Sequence, residues 1–419
     1  MQNKTGFKQW IGLTFLIGFG FMTMGLMDPL YNSYIPLFLS RYIHSNTLIG
    51  AVMTLDNVLQ LILIPIIAVW SDRTRTRIGR RMPFILVMLP VSAALFLLLP
   101  FSAASGIRAL VIAIFCFNLF KTSVRGPVVA LMPDTIPGEY RSEANGVINM
   151  MGGIGAIIGT LILAPLLGPI AEWLPFAVTA VCIVIAVLVL LLFVHERLPD
   201  QPETTEETTP VWHSIKTAFT AGHSSVALIL VSLFCWFLGY EGAQAFLSKY
   251  MVEVLGTTES NATLAMGVVG VAQVIFALPV GYLAHRVGRK RYIRFSLLIL
   301  TLILALIPAS TIMAKSAGLS SGGILVLCLA LFFCFGAFWV GVVVNSFPML
   351  WQMADFGNMG IFTGLYYTFS QSAAIVAPPI TGLIIDLTHY YGIFVFCALC
   401  MLAAFFVMRR VSAGEADKK

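Results

Sequence analysis

The chain reads as an all-α membrane protein of twelve transmembrane helices arranged as two six-helix bundles. Three observations lead there. Of its 419 residues, 59% are hydrophobic and 11% are charged, against about 25% charged in a soluble domain, so it cannot clothe itself in hydrated surface. Apolar runs of about 20 residues, the length that crosses a bilayer, recur along the whole sequence. Lysine and arginine, finally, gather in alternate loops.

The runs fall near 11–39, 47–69, 83–101, 107–131, 143–168 and 173–194, then near 225–247, 260–284, 292–313, 322–346, 360–385 and 390–408. Six spans, a polar stretch and six more divide the chain into a first bundle at 1–194, a cytoplasmic linker at 195–224 and a second bundle at 225–419. The linker contains PDQPETTEETTP, which has too little apolar area to offset the entropy of ordering it. Its later part, VWHSIKTAF, has the amphipathic spacing of a short helix lying in the membrane interface. The first run follows Lys4 and Lys8 and is too long for the h-region of a signal peptide, so it reads as span 1 itself.

Loop charge sets the orientation. One side collects Lys4, Lys8, the five arginines of loop 2–3, Arg141, Arg197, Lys216, the basic cluster of loop 8–9 and Arg409, Arg410, Lys418 and Lys419. The other side holds Arg41, Arg108, Lys249 and Lys315. Both termini are therefore expected in the cytoplasm, in a multi-pass protein of the cell membrane. The net charge of +6 is explained by this topology, and no nucleic-acid patch is present. All seven cysteines fall in apolar runs, where cysteine behaves as a small hydrophobe. Cys397 and Cys400 form a C-x-x-C inside a span, with no second pair and no strand beside it. No metal site, phosphate loop or nucleophile elbow is recognisable. No cofactor, no catalytic residue and no partner chain is expected, and a monomer suffices.

The two halves echo each other. Span 2 ends in PIIAVWSDR, TRTR and IGRR, from Pro65 to Arg81; span 8 ends in PVGYLAHRVGRK, from Pro279 to Lys290. With four residues inserted in the first copy, Asp72 matches His285, Gly79 matches Gly288 and Arg80 matches Arg289. A weaker echo pairs ANGVINMMGGIGAIIG of span 5 with FTGLYYTFSQSAAIVA of span 11. A reversed turn between two spans needs a glycine such as Gly79 and groups that cap two helix ends. Asp72 can cap a neighbouring helix or pair with Arg80 or Arg81. Asp72, Arg73, Gly79, Arg80 and Arg81, with Arg286, Gly288 and Arg289 in the second copy, read as a cytoplasmic gate that latches in one state and releases in another. Plain positive-inside anchoring is the competing reading. His285 in the aspartate's place predicts a weaker second latch.

This turn resembles the loop 2–3 signature of the major facilitator superfamily, whose fold relates two six-helix halves by an axis along the membrane normal. The resemblance covers essentially the whole chain. WSDRTRTRIGRRMPFI, from Trp70 to Ile85, resembles the longer form found in sucrose transporters and in glycoside–pentoside–hexuronide:cation symporters. The segment FKTSVRGPVVALMPD is similar to span 4 of sucrose transporters. There an arginine follows G-P by two positions; here Val129 stands at that place and Arg125 lies one turn earlier. The resemblance implies a secondary transporter working by alternating access on a small polar solute, a sugar or glycoside.

An ionisable side chain at bilayer depth costs several kcal/mol unless it is paired or hydrated. Five candidates for cation coupling are Asp28 on span 1, Asp56 on span 2, Lys121 and Arg125 on span 4, and Glu241 on span 7. Lys121 and Arg125 share one helix face. At about 1.5 Å per residue, Asp28 lies roughly 25 Å above the cytoplasmic edge, Asp56 about 13 Å below the outer edge and Arg125 about 24 Å below it. They do not share one level, and only long side chains can bring them together. Two acids and two bases in one half suggest a network in which each carboxylate's partner depends on its protonation; a static set of ion pairs is the alternative. Asp28 precedes Pro29, which predicts a broken turn of the kind that lines transporter cavities. In the glycoside–pentoside–hexuronide group the cation site uses acids of the second span, and Asp56 is the match. The lack of a second acid one turn from Asp56 favours H+ over Na+.

Sugars require several directional hydrogen bonds and an aromatic face. Asn32, Asn118, Asn149, Gln244, Gln273, Asn345, Tyr366 and Gln371 are the uncharged candidates for binding such a solute. Tyr366 and Tyr367 are adjacent, so only one can face inward. Two other readings compete with a proton-coupled sugar symporter. A proton-linked exporter of amphipathic compounds would share the fold, and a membrane sensor would bind solute without moving it. A membrane-embedded enzyme would need clustered His, Asp and Glu at one depth, and the sequence has no such cluster.

Overall fold

The computed structural model describes residues 7–137, 140–196, 224–351 and 359–412. The linker at 197–223, with the expected interfacial helix and the cations Arg197 and Lys216, lies outside the described residues. So do the side chains of Asp72, Arg141 and His285. Twelve helices among the described residues are long and apolar enough to cross a membrane, and no strand occurs among them.

In chain order these are α1 (Ile11–Ser40), α2a (Asn46–Met53) with α2b (Leu55–Arg73), α3 (Met82–Ser105) and α4 (Ile107–Thr135). Next come α5 (Arg141–Ile157, continued by a π-helical turn at Ile158–Leu163 and by Ala164–Leu167) and α6 (Leu174–Phe193). The second sequence half supplies α7 (Ser224–Glu253), α8 (Glu259–Val287), α9 (Arg289–Ser316), α10 (Ser321–Trp351), α11 (Met359–Leu387) and α12 (Tyr391–Arg410). Proline opens α3 and α6 in the first turn, where its missing N–H leaves no helical bond unmade. Gly79 before α3 and Gly288 before α9 adopt φ of 112° and 101°. Both sit in the left-handed region that a Cβ disfavours, so the repeat seen in the sequence recurs as backbone geometry.

Contacts divide the chain into two units. The first holds Met1–His44, Leu55–Glu203 and Thr258–Gly267; the second holds Ser45–Thr54, Thr204–Thr257 and Val268–Lys419. Each is most of one sequence half together with one short segment from the other half. In the first unit the start of α8 is fixed to α5: Thr263 Oγ1 donates to the Thr160 carbonyl at 2.8 Å. Arg41, just past α1, bridges Glu172 at 2.5 Å and Glu259 at 2.7 Å. Partial burial works against the Arg41 charge, but the hydrogen bonds to these two carboxylates hold its pKa above the usual arginine value. In the second unit α2a lies on α11, with Gly50 against the Pro378 carbonyl and Gly382 against the Asn46 carbonyl.

Helices pack closest where glycines face each other, because lipid gives no hydrophobic drive for helix association and dispersion contact must supply it. A Cβ on Gly25 of α1 would overlap the Gly152 carbonyl of α5, and one on Gly155 would overlap the Met22 carbonyl. This seam explains one departure from expectation. No broken turn occurs at Asp28–Pro29; α1 runs as helix through both Pro29 and Pro36. Proline deletes only its own bond to the carbonyl four residues back, and the seam against α5 holds the flanking turns in place. The C-x-x-C is packing: Cys397 and Cys400 are buried and free, and both approach Gly239 of α7.

Gly25→Leu should therefore lower stability by about 1–3 kcal/mol through overpacking, seen as a lower apparent Tm of the purified protein in detergent. Gly146→Ala, at a position with open space around it, should leave that Tm unchanged or raise it.

Candidate functional site

Four of the five intramembrane charges come together in the first unit. Lys121 of α4 donates to Asp28 Oδ1 of α1 at 2.8 Å and stands 3.7 Å from Asp56 Oδ2 of α2b. Arg125, one turn along α4, reaches Asp28 Oδ2 at 3.6 Å. The different levels inferred from helix rise are thus bridged by two long side chains, Lys121 between Asp28 and Asp56 and Arg125 to Asp28. Lys121 also lies 5.1 Å from the Tyr31 ring centroid and 5.6 Å from that of Phe117, so aromatic faces share in solvating the ammonium. Asn118 donates from Nδ2 to the Tyr31 hydroxyl at 2.8 Å.

The two cations differ in setting. The Lys121 side chain is 6% exposed, whereas that of Arg125 is 42% exposed and its contact with Asp28 is long. Lys121 is a held charge; Arg125 keeps donors free for another anion. The Asp56 carboxylate accepts from the Asn57 backbone N–H as well, at the opening turn of α2b, where the helix dipole favours a negative charge.

The solute-binding candidates are distributed over both units. In the first, Asn32 is half-buried on α1, Asn118 is bound to Tyr31, and Asn149 is exposed and donates to the Asn145 carbonyl of its own helix at 2.8 Å. In the second, Asn345 donates to the Gly341 carbonyl and Tyr366 shares a hydrogen bond with Ser346 at 3.1 Å. Gln244 and Gln371 are half-buried, while Tyr367 is 56% exposed. Glu241 of α7 is in this second unit, beside Tyr240, which is hydrogen-bonded to Gln273.

Sequence reasoning missed the aromatic face. Tyr240 stacks on Trp339 with ring centroids 4.2 Å apart and planes 4° from parallel, and Phe237 meets both Trp339 and Tyr366 edge-on. The signal was available, since Tyr240 precedes Glu241 directly, but its partner lies a hundred residues along the chain.

At the loop 2–3 end, Asp134 of α4 takes two of the loop's arginines: Arg80 Nη2 at 2.7 Å and Arg81 Nε at 2.9 Å. Glu196, just beyond α6, accepts the backbone N–H groups of Arg80, Arg81 and Met82. That carboxylate caps the first turn of α3, so the capping and pairing expected of Asp72 are carried at least in part by Asp134 and Glu196. Neither stood out in the sequence, because each is far from the loop along the chain. Arg73 is exposed, Arg286 lies over the Tyr282 ring at 4.5 Å, and Arg289 opens α9 after Gly288. Among the described residues no group of His, Cys, Asp and Glu is placed to hold a metal ion.

Twelve spanning helices, the paired glycine turns and the arginine-rich loop define a multi-pass membrane protein of facilitator type. The sequence profile of the Major Facilitator Superfamily matches residues 12–378 and 262–419, and the chain belongs to that family. Sucrose transport protein SUC3 of Arabidopsis thaliana is 31% identical over 142 residues, which are 29% of this chain and 24% of that protein. The chain thus aligns with about a quarter of that relative's length. The hexuronate transporter of Bacillus subtilis (strain 168) is 23% identical over 328 residues, 71% of this chain and 73% of that one. Among solved structures, a D-xylose-proton symporter shares the fold at a TM-score of 0.72 and 13% identity, over 96% of this chain and 98% of the other.

Breaking a buried pair by deleting one partner costs about 3–5 kcal/mol, because a charge is left unpaired. Lys121→Met should accordingly lower the apparent Tm strongly, and adding Asp28→Asn should recover part of the loss. A double variant no more stable than Lys121→Met would show that the two side chains are not energetically coupled.

Proposed function

We propose that the chain is a secondary active transporter of a sugar or glycoside, coupled to protons and working by alternating access. One observation carries the reading: a single buried lysine serves two carboxylates on different helices. Lys121 cannot hold Asp28 and Asp56 equally well at 2.8 and 3.7 Å. A proton arriving on Asp28 frees the ammonium to close on Asp56 and so ties α4 to α2b in place of α1. A proton on Asp56 does the reverse. Protonation thereby selects which helix pair is held, which is the form of switch that couples an ion to a conformational change.

The two acids are balanced by two cations, and α2b carries no second acid one turn from Asp56, so H+ is the coupling ion in this reading. The names of the relatives support a carbohydrate, and the Tyr240–Trp339 face with Gln273 is the kind of surface on which a sugar ring packs. A sugar acid is the second reading. It is favoured by the half-exposed Arg125 guanidinium, which has the fork geometry to take a carboxylate. The lysine and arginine asymmetry supports a topology with both termini and the loop 2–3 arginines in the cytoplasm and Arg41 at the outer face.

Proteoliposomes offered a panel of labelled sugars and hexuronates, under imposed pH or sodium gradients, test the reading. A pH gradient should drive accumulation, and a sodium gradient should not. Asp56→Asn and Arg125→Ala should each reduce gradient-driven uptake at least tenfold while the protein remains folded in the membrane. Wild-type accumulation by either variant, or uptake indifferent to the pH gradient, would overturn proton coupling through this group.

A further inference from the structure

Two arginines close α12, and their setting differs from that of the pair in loop 2–3. Arg80 and Arg81 are buried and share Asp134. Arg409 and Arg410 are both exposed, and among the described residues neither makes an ion pair or a hydrogen bond. They stand in the last turn of the helix, whose bare carbonyls favour a positive charge nearby. That placement leaves the N–H donors of both guanidinium groups, five on each, open to an anion.

The two side chains line a cavity of about 610 Å3 together with Leu228 of α7 and Phe406 and Val407 of α12. Ligand pockets span roughly 300–1,000 Å3, so the space is large enough for more than a small ion. Along α12 the arginines lie beyond Phe406 and Val407. The cavity is therefore cationic toward the helix end and apolar toward the interior of the span. Phe406 is 54% exposed, on a helix long and apolar enough to cross a membrane.

The walls are pinned to each other. The Ser225 and Ser412 hydroxyls share a hydrogen bond at 2.8 Å, and the Ser412 N–H donates to Ser225 Oγ at 3.2 Å. Every residue of this group belongs to the second unit. The start of α7 and the end of α12 are thus held together beside the cavity.

We propose that this cavity binds an anionic glycerophospholipid, with Arg409 and Arg410 on its phosphate and Leu228, Phe406 and Val407 against an acyl chain. Charge complementarity selects the occupant. Arginine presents a planar fork that gives two N–H donors to one phosphate, and basic pockets between spans lodge anionic headgroups. Dissolved phosphate uses the arginines but leaves the apolar wall idle. A zwitterionic headgroup brings its own cation and competes with the arginines for its phosphate. A lipid seated here touches α7 and α12 at once, and so reinforces the pairing that the two serines begin. The site is independent of the transported solute and of proton coupling; only its assignment to the inner leaflet rests on the topology proposed above.

Native mass spectrometry of the purified protein in detergent counts bound lipid directly. Phosphatidylglycerol and phosphatidylcholine with identical chains are titrated separately, and inorganic phosphate is then added as a competitor. The wild type should retain phosphatidylglycerol in preference to phosphatidylcholine, and phosphate should not displace it. Arg409→Gln combined with Arg410→Gln should weaken phosphatidylglycerol binding about 30-fold, the ~1 kcal/mol that each basic side chain gains beside an anionic lipid surface taken twice. Lys290→Gln combined with Arg291→Gln removes two cations of loop 8–9 and should leave the affinity at the wild-type value. Unchanged binding in the Arg409 and Arg410 variant would overturn the site. Equal losses in the two double variants would overturn it as well, by showing attraction to diffuse surface charge. Displacement by inorganic phosphate would replace the lipid with a free anion. If the double arginine variant folds poorly, Arg410→Gln alone serves, with a smaller loss expected and an unchanged affinity counting against the site.

Discussion

A charge buried in a lipid-facing bundle must find an opposite charge, and in this protein Lys121 has to answer for two. An unpaired ion at membrane depth costs several kcal/mol. The placement of α1, α2b and α4 therefore follows from the need to bring Asp28 and Asp56 within reach of one ammonium. The glycine seam between α1 and α5 serves the same end. It holds α1 as helix through Pro29, which keeps Asp28 pointed at α4. The Tyr31 and Phe117 rings flank the lysine, and Asn118 holds the Tyr31 hydroxyl.

One cation is shared unevenly: Lys121 stands 2.8 Å from Asp28 and 3.7 Å from Asp56, and Arg125, more exposed, makes a long contact of 3.6 Å with Asp28. Similar economy governs the loop 2–3 end, where one carboxylate of α4 takes two arginines and one carboxylate beyond α6 closes the first turn of α3.

Both clusters rely on helix ends as much as on side chains. Asp386 on α2a, Glu196 on α3 and Asp56 at the start of α2b all sit where unsatisfied N–H groups emerge. Each carboxylate answers donors that the helix itself leaves unmade.

The number of spans, the polar linker, the repeat at the ends of spans 2 and 8, and the charges that need partners could all be read from the amino acids in order. Each depends on local composition or on spacing along one helix. Gly79 and Gly288 illustrate it, since a tight turn between two spans requires a backbone that only glycine adopts without strain. What the linear chain did not disclose was who pairs with whom. Asp134 and Glu196 were invisible as partners of the arginine loop, Trp339 as the partner of Tyr240, and Asp386 as the cap of α2a. The grouping of Asp28, Asp56, Lys121 and Arg125 was suggested by charge balance, but with the acids at different levels only the reach of long side chains could join them, and which charge meets which was not legible. Only tertiary packing decided these matters. Helix crossing, tilt and the reach of a long side chain determine which distant residues meet, and none of those is encoded by periodicity within a single span.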